Sequence, residues 1–322
     1  MKESTEMSAF EIALLVFGCL IAAGFIGFVL ATALLSRWIF LKHLKRGYCD
    51  PWDRSCSDPK DPEQVKMYDD GMLFGDENAS YKTDVKIVNE GLNLYGEYFD
   101  FGYDRAAIIV SGRMESCTYG YYFAPPYKAA GYNILVIDQR SHGLSDGDYN
   151  TLGKNEYRDL LAWAKFLHEQ KKVSAVVLHG ICIGAATGLY ALIDKDCPDY
   201  LCALVTEGMY PSFYESFRNH MINDGHPLFP VLQEVNLWMK HYTNEDMKGG
   251  PDTCIDRLKQ PILMLQSRED KFSKPEKAKM LFDLCGSENK RLVYFDHGAH
   301  SHLRYVETDK YDANIVEFLS EL

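Results

Sequence analysis

The chain has 322 residues, of which 47% are hydrophobic and 25% charged, so it can build a sizeable core and is not globally disordered. Its net charge of −12, with no basic cluster on its main domain, argues against nucleic acid as a partner. Nine cysteines without Cys-x-x-Cys pairs fit free thiols in a reducing compartment rather than a zinc site or a disulfide scaffold. No cofactor and no metal are predicted.

The first predicted element is the apolar segment 12–35, whose roughly 24 uncharged residues are enough to cross a bilayer. A buried core helix is the alternative, although apolar residues occupy every face of the segment. One basic residue, Lys2, precedes the segment and four follow it, which orients its C-terminal side toward the cytoplasm. Trp38 and Phe40 are expected at the membrane interface. Residues 1–46 are therefore predicted to be a single-pass membrane anchor, with the membrane as a partner. The four basic residues are Arg37, Lys42, Lys45 and Arg46.

Residues 47–80 are rich in Asp, Pro, Gly and Lys, and are predicted to be a linker or a loosely packed segment leading into the main domain. From 81 to 322 a hairpin is followed by short apolar runs that alternate with helical patterns. This order predicts an α/β domain with a mostly parallel, eight-stranded sheet covered by helices on both faces. The predicted strands are 85–88, 92–99, 106–110, 132–138, 174–179, 203–206, 261–266 and 291–295.

The motif His-Gly-Ile-Cys-Ile-Gly, 179–184, follows a predicted strand and precedes a helical stretch. Strand, tight turn and helix are the context of a nucleophile elbow, with Cys182 as the nucleophile. Side chains at Gly180 and Gly184 would collide with the neighbouring strand and helix. The positive end of the helix dipole would stabilise a thiolate at this position. A small buried cysteine between two glycines is the alternative.

Carboxylates that could orient a catalytic histidine follow the next two strands. Asp270 and Glu269 lie in the loop after 261–266, and Glu207 lies after 203–206. A surface acid in a charged loop is the alternative for each of them. The histidine itself is expected in the loop after the last strand, where three candidates stand: His297, His300 and His302.

The loop after 106–110 reads Ser-Gly-Arg-Met-Glu-Ser. Gly112 allows a sharp turn there, so that the backbone N–H of Arg113 could point at a substrate oxygen. The N–H of Ile183 would supply the second donor of an oxyanion hole.

Nucleophile, acid and histidine follow one another in the order of the α/β-hydrolases. The sequence resembles that superfamily over 81–322, and within it the serine aminopeptidase-type and bacterial membrane-anchored hydrolase-like proteins. The motifs that carry the resemblance are "DQRSHGLSDGDY" after the fourth strand, "LHGICIGAAT" at the elbow, "SREDKFS" and "DHGAHSH". The resemblance implies Asp270 as the acid and His300 as the base. It also implies that Ser141 replaces a glycine and Ser111 a histidine.

Cys182 stands where the family usually has serine. A catalytic cysteine also occurs in dienelactone hydrolases and bile acid-CoA acyltransferases, and polyhydroxyalkanoate synthases carry the motif Gly-x-Cys-x-Gly. If the resemblance holds, the substrates are small molecules with ester, lactone or thioester bonds rather than peptides. A thiolate leaves more readily than an amine or a simple alkoxide, so its attack on an amide or a simple alkyl ester tends to reverse. A membrane-tethered hydrolase with an acyl-cysteine intermediate is predicted. An acyltransferase with the same triad, or an inactive binding or sensing module, is the alternative.

An insertion over 208–258 is expected to cap the site. Its aromatic residues favour an apolar acyl pocket, with a small hydrophobic core of the cap itself as the alternative. They are Tyr210, Phe213, Tyr214, Phe217, Phe229 and Trp238.

Overall fold

A computed structural model describes residues 7–50 and 52–322; residues 1–6, which include Lys2, and Pro51 lie outside the described residues. Eight strands occur in the described part. They are β1 (Lys82–Asn89), β2 (Leu92–Phe99), β3 (Arg105–Val110), β4 (Asn133–Ile137), β5 (Ala175–Ile181), β6 (Leu201–Glu207), β7 (Ile262–Ser267) and β8 (Lys290–Phe295).

The α-helices of the described residues cover both faces of the sheet and extend beyond it at the N-terminus. They are α1 (Ala9–Leu44), α2 (Pro62–Glu77), α3 (Cys117–Gly120), α4 (Pro125–Ala129), α5 (Glu156–Gln170), α6 (Ile183–Leu192), α7 (Phe213–Asn223), α8 (Val231–Thr243), α9 (Pro275–Leu284), α10 (Leu303–Val306) and α11 (Thr308–Ser320). Short 3-10 turns occur at Ala79–Tyr81, Tyr121–Phe123, Pro251–Thr253 and Ile255–Arg257.

The strands form one sheet in the order β1-β2-β4-β3-β5-β6-β7-β8. The β1–β2 hairpin and the β2–β4 pair are antiparallel, and all later pairs are parallel. The predicted eight-stranded, mostly parallel sheet is confirmed. Central strands such as β3 and β4 are buried along almost their whole length, because a hydrophobic cluster packs on each face. Because β5 to β8 run parallel, their carboxyl ends meet at one edge of the sheet, where loops carry function in this architecture.

Helix α2 corrects the prediction that 47–80 is a linker or loosely packed segment. Asp61 caps the helix, and Met67 is fully buried on its inner face. Two glycines allow this close packing: a Cβ on Gly75 would lie 2.8 Å from the ring of Tyr121. The pattern was missed because glycine and glutamine, rather than apolar residues, form much of the buried face.

Helix α1 is long and apolar enough to cross a membrane, with a mean hydropathy of 2.7 over an 18-residue window that nothing in the described chain buries. Its last turns are different. Phe40 has no exposed surface, because it packs against the helices between β6 and β7. The side chain of Phe40, predicted to lie at the membrane interface, therefore faces protein rather than lipid, whereas Trp38 remains 39% exposed.

The stretch between β6 and β7 contains α7 and α8, which pack on the end of α1. Tyr210, Phe213 and Phe217 are buried there in one cluster with Ile39 and Phe40. Most of the aromatic residues predicted for an acyl pocket therefore form a core shared by the cap and the anchor helix. Phe229 is the exception, because 80% of its side chain is exposed.

Candidate active site

Cys182 lies at the sharp turn between β5 and α6, and its thiol is partly exposed. Its φ of 54° is in the left-handed region, which is strained for a residue with a side chain. The flanking glycines make the turn possible. A Cβ on Gly180 would lie 2.3 Å from the carbonyl carbon of Gly184, and one on Gly184 would lie 2.2 Å from the carbonyl oxygen of Val110. The local geometry is that of a nucleophile elbow.

Gly184, the second of the two glycines in this turn, should be essential for the stability of the fold. We expect Gly184→Ala to lower the free energy of unfolding by about 3–5 kcal/mol, because the new methyl group would meet fixed backbone atoms on β3. Gly249→Ala is the matched control, since its Cβ would meet only the Lys154 ammonium, at 3.6 Å. Urea unfolding of both variants tests this, and equal stability of the two would contradict it.

Asp270 and His300 are hydrogen-bonded, with 2.6 Å between the Asp270 Oδ2 and the His300 Nδ1. The other carboxylate oxygen accepts the backbone N–H groups of Phe272 and Ser273, which fixes its orientation. The Nε2 of His300 is buried and has no hydrogen-bond partner among the described residues. Burial lowers the pKa of His300, but the charges of Asp270 and of an ionised Cys182 outweigh burial and raise this pKa well above its usual value. The Asp270 contact thus orients the imidazole and favours its protonated form.

The rival acids and histidines have other partners. Glu207 accepts hydrogen bonds from the Tyr311 hydroxyl and the Leu303 N–H. Glu269 accepts the N–H of Gly298 and lies beside His297.

His302 lies in the same loop as His300 but points to helix α2. Its two ring nitrogens contact the side-chain oxygens of Glu63 and Gln64. Of the residues predicted for the acid and the base, the structure brings together Asp270 and His300.

A cavity of about 120 Å³ connects the predicted residues. Cys182, His300 and Arg113 all line it, and their neighbours come from α2, α7 and the loop after β3. Burial lowers the pKa of His220 to about 2, so that ring lines the cavity in its neutral form. The full lining is Gln64, Gly112, Arg113, Glu115, Cys182, Phe213, Ser216, His220, His300 and Ser301. A larger cavity of about 590 Å³, around Tyr190 and Arg257, holds none of the predicted catalytic residues.

The loop after β3 is held by side chains that sequence reasoning did not assign. The carboxylate of Glu115 accepts the N–H of Gly112 at 2.8 Å and the amide of Gln64 at 3.2 Å. His142 accepts the N–H of Met114 at 3.1 Å. The Gln64 contact could not be foreseen, because it comes from the helix predicted to be a linker.

Two serines replace family residues near this loop. Ser111 occupies the position of the family histidine and donates its hydroxyl proton to the carbonyl of Ser116. Ser141 has a φ of 68°, which explains why the motif usually has glycine there.

The two predicted oxyanion donors start from different places. Ile183 is the first residue of α6, so its N–H is one of the free amides of a helix N-terminus. Arg113 lies in the loop after β3, and its guanidinium donates to the carbonyl of His43 at 3.1 Å. The role of their N–H groups stays a prediction.

Comparison with known proteins is consistent with this architecture. A family model described as the alpha/beta hydrolase fold matches residues 108–224. A crystal structure of the esterase Pf2001 from Pyrococcus furiosus superposes with a TM-score of 0.65, at 22% identity, over 77% of this chain and 93% of that one. The chain has the α/β-hydrolase fold. This likeness at low identity establishes the fold and leaves the chemistry to the residues of the site.

Sequence relatives are distant. The uncharacterized protein YqkD of Bacillus subtilis is 24% identical over 202 residues, which are 60% of this chain and 63% of that protein. An uncharacterized membrane protein of Saccharomyces cerevisiae is 24% identical over 179 residues, which are 54% and 57% of the two chains. The chain thus spans less than two thirds of the length of these relatives.

Proposed function

We propose that the protein is a hydrolase of ester, lactone or thioester bonds that works through an acyl-Cys182 intermediate. The observation that carries the proposal is the elbow cysteine in one cavity with His300, whose Nδ1 contacts Asp270 and whose Nε2 is free. Membership of the serine aminopeptidase-type group is part of the proposal. The esterase named above adds support by analogy of fold alone.

The reaction begins when the Cys182 thiolate attacks the carbonyl carbon of the substrate. The negative charge that develops on the carbonyl oxygen is stabilised by the N–H groups of Ile183 and Arg113. The protonated Nε2 of His300 then gives its proton to the departing alkoxide or thiolate, which leaves as an alcohol or thiol. Asp270 keeps the imidazole oriented and stabilises its cation.

Water completes the cycle. His300 Nε2 removes a proton from a water molecule that attacks the acyl-Cys182 carbonyl, the thiolate of Cys182 is expelled, and the carboxylic acid is released. Phe213 on the cavity wall supports an apolar acyl group. In this account β1 to β8 and the cap form the hydrolase domain, 81–322.

Helix α1 supports membrane association, as does the description of the yeast relative as a membrane protein. The basic residues after the apolar segment support a single crossing with the catalytic domain in the cytoplasm.

The proposal is tested by assaying the full-length protein in detergent or lipid nanodiscs with a panel of aryl esters, lactones and thioesters. The full chain is needed because the end of α1 fills the core of the cap. Hydrolysis of the activated bonds, with amides left intact, is expected. If no member of the panel is turned over, the hydrolase proposal fails and the binding or sensing alternative gains support.

Glu115 gives the reaction an expected pH dependence. Burial raises the pKa of its carboxyl group to about 7, so the group is neutral below that pH and negatively charged above it. A negative charge on the cavity wall opposes the charge that forms on the substrate oxygen. We therefore expect the ratio of kcat/KM for Glu115→Gln to that of the wild type to rise as pH increases through 7. Glutamine can still accept the N–H of Gly112.

The measurement is kcat/KM for a neutral aryl ester from about pH 5.5 to about pH 9. His300 titrates in both proteins, so most of its own pH dependence cancels in the ratio, which then reports the change made at Glu115 together with its effect on His300. A ratio that stays constant across this range would show that the Glu115 charge does not act on the transition state.

A further inference from the structure

Helices α1 and α8 run side by side in the same direction with a nearly constant register. The hydroxyl of Thr32 donates to Glu234 at 3.0 Å, and the indole N–H of Trp238 donates to Ser36 at 3.1 Å. In both pairs the residues are 202 positions apart. Farther along, the ring of Tyr242 stacks on that of Phe40 with 5.3 Å between centroids. Each residue of α8 therefore lies beside the α1 residue about 202 positions earlier.

None of the described residues buries the part of α1 that precedes these contacts. Most of the large apolar side chains along it remain at least half exposed, and Thr32 is the first buried residue of the described helix. Leu34, on the side away from α8, is still 70% exposed. Lipid is the surrounding that such a helix requires.

The register sets the depth of α8 in that membrane. Because Thr32 lies three residues before the end of the apolar segment at Leu35, Glu234 lies inside the boundary. Val231, the first residue of α8, lies beside Val29, which is roughly 9 Å inside at 1.5 Å per residue. An interfacial helix buries its apolar face to a similar depth of about 5–10 Å.

Large apolar side chains are exposed on the cap at this level. Phe229, just before α8, is 80% exposed, and Leu237 is 63% exposed. A groove of about 400 Å³ between the two helices has a mainly apolar wall. Farther along the two helices, past the end of the apolar segment, the basic residues Lys42 and Lys240 lie at the level of the lipid headgroups. The groove is lined by Ala33, Glu234, Leu237, Trp238 and His241.

We infer that α8 from its first residue to the level of Trp238, together with Phe229 before it, lies in the leaflet that surrounds the end of α1, with Trp238 at the boundary of the acyl chains. The occupant of the groove and of the exposed apolar surface is then lipid acyl chain. Glu234 lies only one helical turn inside this boundary, and one of its carboxylate oxygens accepts the Thr32 hydroxyl, whereas the other has no hydrogen-bond partner among the described residues.

This placement brings the catalytic cavity close to the membrane. The carbonyl of His43, eight residues beyond Leu35 on α1, accepts the guanidinium of Arg113, which lines the cavity. Eight residues of helix correspond to about 12 Å. A substrate whose acyl chain remains in the leaflet can therefore reach Cys182, a consequence that rests on the proposed function.

Tryptophan quenching by brominated acyl chains tests the insertion. Trp52 and Trp163 are almost fully buried, so only Trp38 and Trp238 can meet lipid among the four tryptophans. The full-length Trp38→Phe variant is placed in phosphatidylcholine–phosphatidylglycerol vesicles with or without brominated chains. The contribution of Trp238 is the difference in emission between Trp38→Phe and the double variant Trp38→Phe/Trp238→Phe. We expect bromination to remove most of this difference. That double variant should be insensitive to bromination.

The single variant Trp238→Phe, which keeps Trp38, reports whether α1 itself is embedded. Quenching of Trp38 without quenching of Trp238 would mean that the cap stands clear of the membrane, and would overturn the inference. Quenching of neither would overturn it as well, because α1 would then not lie in the bilayer at this level. No turnover is measured, so failure here is distinct from failure of the hydrolase proposal.

Discussion

Cys182→Ala abolishes turnover of aryl esters and thioesters, with an expected loss in kcat of roughly 10⁴- to 10⁶-fold. The variant lacks the sulfur that attacks the substrate, while the fold should be unaffected because the thiol is partly exposed at the surface of a cavity. Steady-state assays beside circular dichroism separate loss of chemistry from loss of structure.

Cys182→Ser is the informative companion. Serine can occupy the elbow, but its hydroxyl does not form a stable anion beside the His300 imidazolium, so we expect activity between those of the wild type and the alanine variant. If the alanine variant keeps the wild-type rate, Cys182 is not the nucleophile. Cys202→Ala, at another partly buried cysteine outside the cavity, is the control and should keep full activity.

Asp270→Asn should lower kcat by about 10²- to 10⁴-fold, with a small change in stability. The carboxylate charge raises the pKa of His300, so its removal lowers that pKa and disfavours the thiolate–imidazolium pair. The asparagine amide can also donate to Nδ1 and thereby select the wrong tautomer. The measurement is kcat against pH, together with the rate at which iodoacetamide alkylates Cys182.

Glu269→Gln is the matched control for this prediction. Glu269 stands next to Asp270 in the same loop, but its carboxylate contacts Gly298 and His297. We expect its replacement to leave kcat within a few-fold of the wild type. A loss as large as that of Asp270→Asn would mean that general charge in the loop, rather than the His300 contact, is what matters.

Most of the sheet could be predicted from sequence because its central strands are buried on both faces. Continuous apolar runs such as the one in β3 leave few other assignments, and each predicted strand corresponds to an observed one within a few residues. The elbow could also be predicted, because the tight turn itself leaves no room for side chains at Gly180 and Gly184.

Features that depend on distant packing could not be predicted. A hydropathy pattern shows that α1 is apolar, but not that its last turns, including Phe40 and Leu44, enter the cap. Helix α2 was not indicated by a hydrophobic pattern, because it is buried through the close approach of Gly71 and Gly75 to aromatic residues rather than through apolar side chains. The choice of Asp270 and His300 from several candidates required either the family resemblance or the contact between them in the structure.

The central claim is that Cys182 takes the acyl group from the substrate, and trapping that intermediate tests it most directly. The full-length protein is mixed with an excess of aryl ester, quenched in acid within the first turnover, digested and analysed by mass spectrometry. The account predicts one acyl group on the peptide that contains Cys182, and none on the same peptide of Cys182→Ala. Product formation without an adduct on Cys182, or with the adduct on another residue, would contradict it.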